Sequence, residues 1–80
     1  MNVPKLLEAL ELDAQGDWDG AHKIVQVLKS KAACRLHAYL HRKEGDLGNA
    51  AYWYSQADSS MPSKSLEDEW EELKMCIYRL

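Results

Sequence analysis

Eighty residues, of which 29% are charged and whose formal net charge is −3, make room for one small domain. The acidic balance speaks against general nucleic-acid binding, which rests on neutralising phosphates. Cys34 and Cys76 are too few for a disulfide framework; both fall in apolar helical patterns and read as small buried thiols in a reducing, cytoplasmic compartment. No stretch has the pattern of a signal peptide or approaches the roughly 20 apolar residues of a membrane span.

Helix signals run through the chain. Pro4 can open a first helix, whose face is Leu6, Leu7, Leu10 and Ala14. Gly16 ends it, and Asp17 caps a second helix that carries Trp18, Ala21, Val25 and Leu28. After a break near Ser30–Lys31, a third helix runs from about Ala32 to Glu44. Gly45 stops it, and Asp46 caps a fourth with Leu47, Ala50, Tyr54 and Ala57 on its inner side. "DSSMPSKS" is a turn-rich stop, and Ser65 can cap a fifth helix. There Leu66, Trp70, Leu73, Ile77 and Leu80 form an apolar stripe, with Glu67, Glu69, Glu71 and Glu72 mostly on the wet side. No segment keeps a period of two, so a strand reading fails.

"GDWDGA" at 16–21 and "GDLGNA" at 45–50 write the same corner twice, 29 residues apart. Gly-Asp between helices turns the chain back on itself, and an alanine three residues after Trp18 or Leu47 lets the two backbones approach. The expectation is an all-α single domain over 1–80: hairpin 1 at about 4–29, hairpin 2 at about 32–58, and a capping helix at about 65–79. Neither hairpin can bury its own face alone, so the two must stack.

At these residues the chain resembles the tetratricopeptide repeat family. The second cycle carries Ala38, Gly45-Asp46, Ala50, Tyr54, Ala57 and Pro62; the first keeps Ala9, Leu12, Gly16-Asp17 and Ala21. Trp70, Leu73 and Ile77 fit the opening of a further repeat. The period is 29 rather than the family's 34, and Cys34, His37 and His41 stand where the family puts Trp, Leu and Tyr. The resemblance implies a non-catalytic module that binds a protein or peptide. It also implies that Arg35, Tyr39, Arg42 and Lys43 line its concave groove, where guanidinium groups suit an acidic or carboxyl-terminal segment. The stretch "HAYLHRKEGDLGNAAYWY" is also similar to a segment of small uncharacterised bacterial proteins, a likeness that implies no activity.

His37 and His41 are four apart and project from one helix face, and His22 lies early on the helix expected to pack beside it. Three imidazoles meeting there would make a ligand set for zinc or a similar divalent metal, the alternative function for this chain and one that admits enzymatic chemistry. The plainer reading is partly buried histidines hydrogen-bonded to their neighbours. Tyr52, Trp53 and Tyr54 cannot all face inward; Trp53 is expected against the last helix or at a partner surface, a second copy of the chain included. No phosphate-cradling glycine loop and no Ser/His/Asp nucleophile pattern is present.

Overall fold

A computed structural model describes residues 2–80. Its five helices are α1 (Val3–Ala14), α2 (Trp18–Val25), α3 (Lys31–Glu44), α4 (Leu47–Gln56) and α5 (Leu66–Tyr78). α1 packs antiparallel against α2, and α3 against α4. The two hairpins meet through α2 and α3, and α5 lies across α1 and α3. Among the described residues no helix is long and apolar enough to cross a membrane.

The repeated corner is the same backbone device each time. Gly16 and Gly45 take φ of 88° and 91°, the left-handed region that costs a side-chain-bearing residue. The Asp17 amide then donates to Leu12 O (2.8 Å) and the Asp46 amide to His41 O (2.9 Å), which closes each helix end. The same carboxylates cap the next helix: Asp17 accepts from the Gly20 amide, and Asp46 from the Asn49 amide. Ser30 and Ser65 cap α3 and α5 in the same way. The structure writes this corner a third time, without glycine. After α4, Asp58 sits at φ 54°, and the Ser59 amide donates to Tyr54 O (2.9 Å). Asp58→Gly is therefore expected to raise stability by roughly 1 kcal/mol in chemical denaturation. The Lys31–Asp58 ion pair lost in that exchange is 71% exposed on both sides and contributes little.

Alanines set the helix spacing. Ala9 and Ala21 in hairpin 1, and Ala38 and Ala50 in hairpin 2, are fully buried, each pair 29 residues from its counterpart. Leu6, Leu10, Val25, Leu36, Leu40, Leu73 and Ile77 fill the main core around them, and Ala38, Ala50 and Tyr54 form a second cluster. Ala50→Leu forces extra volume into the α3–α4 contact and should cost about 1–3 kcal/mol, read from a urea midpoint.

α5 presents the expected stripe from Leu66 to Ile77, with two departures. Leu73 and Ile77 are buried and Leu66 and Trp70 pack on the core, but Leu80 is exposed and Glu69 is completely buried. Arg42 Nη1 donates to Glu69 Oε1 (2.8 Å) and Tyr54 Oη to Glu69 Oε2 (2.6 Å), so the carboxylate has charge-assisted partners where water is excluded. Cys76, expected inside, is exposed, whereas Cys34 is buried.

Candidate metal centre

The α2–α3 seam brings the three histidines together. His22 lies one turn after Trp18 on α2, and His37 and His41 lie one turn apart on α3, facing it. One ligating nitrogen from each ring lies within 4.8 Å of the other two. His22 Nε2 and His37 Nε2 are 3.0 Å apart. Two nitrogens bound at about 2.0–2.1 Å to one tetrahedral ion stand about 3.3 Å apart, so only a small shift separates this pair from ligand spacing.

Neighbours fix the ring orientations. His41 Nδ1 is 2.6 Å from Glu44 Oε2. An ionised carboxylate only accepts, so in the neutral ring Nδ1 carries the proton and Nε2 keeps a free lone pair. This carboxylate–imidazole arrangement orients a ligand and raises its basicity. The Trp18 ring stacks on His22 (centroids 4.8 Å, 9° between planes), and its indole N–H donates to Leu40 O at 2.8 Å. The Trp53 ring stacks on His37 (4.1 Å, 18°). Trp53 thus packs on α3 rather than on α5, and Tyr52 is exposed beside it. His37 and His41 are only 4% and 6% exposed, while His22 is half-buried and gives the cluster its contact with solvent.

Burial disfavours the charged form of two of the rings. It lowers the pKa of His37 to about 4, with the positive charges of His22 and His41 adding to the effect. Burial also lowers His22, helped by His41 and opposed by Glu44 and Asp19. Neutral imidazoles are the metal-ready form, so ligation at neutral pH does not first have to remove a proton held by charge. The protein should show the same effect as acid sensitivity. The unfolded chain protonates His37 near pH 6.5, and the folded site resists protonation until about pH 4. The stabilising contribution is therefore complete above pH 6.5 and is lost as the pH falls towards 4, by up to about 3 kcal/mol. Urea midpoints of wild type and His37→Phe across pH 4–7.5 check this; the variant should have the flatter profile.

The basic set on α3 is engaged inside the molecule. Arg35 pairs with Glu72, which also pairs with Lys64. Arg42 holds Glu69 and donates to Lys64 O. Lys43 Nζ is 2.9 Å from Asp13 Oδ1, and the buried Tyr39 hydroxyl donates to Asp13 Oδ2 at 3.2 Å. Burial, then the Asp13 charge, pushes the Tyr39 pKa up; burial and the Glu69 hydrogen bond do the same to Tyr54. Beside Asp13, Tyr39 and Lys43, an open cleft of about 480 Å³ runs to Trp70 and Glu71 on α5.

Two contributors to the histidine cluster lie outside the set that the sequence pattern singles out. Glu44, three residues after His41, and Trp18, four before His22, both sit at helical-neighbour spacing, which was the available signal. No protein-family profile matches the chain, and comparison with curated proteins and with solved structures finds no similar one.

Proposed function

We propose that this protein is a metal-binding helical domain in which His22, His37 and His41 hold one zinc or similar borderline divalent ion. The observation that carries the reading is the mutual approach of three ligating nitrogens within 4.8 Å, with Glu44 on His41. Imidazole nitrogens suit zinc, copper and nickel rather than magnesium or calcium, which prefer all-oxygen sets. One ligand comes from hairpin 1 and two from hairpin 2, so the ion ties the hairpins together. An 80-residue chain gains from such a staple because its core alone supplies only a few kcal/mol.

Zinc titration against a chromophoric chelator, at neutral pH, tests this. One zinc per chain is expected, with tight binding abolished in His37→Ala and weakened about 10- to 100-fold in Glu44→Gln. Unchanged zinc uptake in His37→Ala contradicts the assignment.

A second reading has one observation in its favour. α5 lays Glu69 and Glu72 against Arg42 and Arg35, so the α1–α3 face accepts an acidic amphipathic helix. A peptide partner of that chemistry would compete with α5. Adding an excess of a Ser65–Leu80 peptide to the full chain, with binding read by fluorescence anisotropy, tests the competition; no binding counts against it.

A further inference from the structure

We infer that an ion at this site keeps one coordination position for an exchangeable external ligand, and that this ligand is a small monodentate anion. The inference rests on the three-histidine reading above and specifies what that site takes. The donor census is the first support. Among the described residues, no thiol or carboxylate oxygen joins the three imidazole nitrogens within the 4.8 Å that relates them to one another. Cys34 lies one turn before His37 on α3, yet its sulfur is not part of the group. Glu44 and Asp46 gather instead with His41 in a separate cluster, where Glu44 Oε2 is committed to His41 Nδ1.

A borderline divalent ion in proteins is nearly always four-coordinate, and three protein ligands are the mark of a centre that completes its shell from outside. Charge decides the class of ligand. Three neutral imidazoles offset none of the ion's two positive charges, and the nearby carboxylates Glu44 and Asp19 act on it only from behind the rings, so a net positive charge remains where two of the rings are over 90% buried. An anion is held more strongly there than in water. Size is limited by the aromatic walls: the Trp18 and Trp53 rings stack on His22 and His37, so the approach is from the half-exposed His22 side. The site therefore accepts a ligand from outside as well as joining the two hairpins.

Cobalt(II)-loaded full-length chain titrated with azide reads this directly, because tetrahedral cobalt has visible bands that move when a ligand is exchanged. The expected result is a saturable band shift with one azide per cobalt, retained in Cys34→Ser. Visible cobalt bands that azide leaves unmoved overturn the exchangeable position while leaving metal binding intact. Failure of cobalt to develop tetrahedral bands at all overturns the three-histidine centre and this inference with it.

Discussion

Arg42→Ala is expected to cost about 3–5 kcal/mol of folding free energy, because it strands a wholly buried carboxylate. Glu69 has 0% exposure, and Arg42 Nη1 is its cationic partner at 2.8 Å. In a domain of this size each kcal/mol moves the midpoint of thermal unfolding by roughly 4–8 °C, so the drop should be about 12 °C or more. A companion double variant, Arg42→Met with Glu69→Leu, should recover most of the loss, since apolar side chains of similar volume remove the stranded charge. Tyr54→Phe takes away only one neutral donor, at 2.6 Å, and should fall between, at about 1–3 kcal/mol. Circular-dichroism melts of the set decide it. An Arg42→Ala melt within a degree or two of wild type would mean that Glu69 finds water or another partner.

The second large effect is stabilisation by metal. If the three histidines hold zinc as proposed, and the unfolded chain does not, zinc at a thousand times its dissociation constant should add about 4 kcal/mol. That corresponds to roughly 16–32 °C in midpoint for a domain of 60–100 residues. His22→Ala should remove most of the gain. The remaining pair, His37 and His41, sits on one helix and no longer links hairpin 1 to hairpin 2. Calcium, which takes hard oxygen ligands, should leave the melt where it was. A zinc-induced shift of equal size in wild type and His22→Ala would place the ion elsewhere.

The helices and corners were legible because their determinants are local. Gly16 and Gly45 are needed where φ turns positive, and Asp17, Asp46, Ser30 and Ser65 bond amides only three residues on. The third corner was harder to see, since Asp58 does a glycine's work there. The histidine site was legible only in part. One helix turn puts His37 beside His41, but bringing in His22 needs the α2–α3 packing, a property of the stack rather than of any segment.

α5 shows where pattern reading stops. Glu69 and Trp70 both lie between Leu66 and Leu73 on the apolar stripe, and a carboxylate in that position reads as solvated. What compensates its burial is Arg42, 27 residues away on another helix. The same long-range charge match engages Arg35, so two of the four residues that read as groove-lining pair with α5 itself, while Tyr39 and Lys43 line the open cleft.

Zinc-edge X-ray absorption on the metal-loaded chain tests the three-histidine centre most directly. The expected spectrum has three imidazole rings at about 2.0 Å, one further light atom, and no sulfur. A sulfur shell at about 2.3 Å, or fewer than three rings, contradicts it.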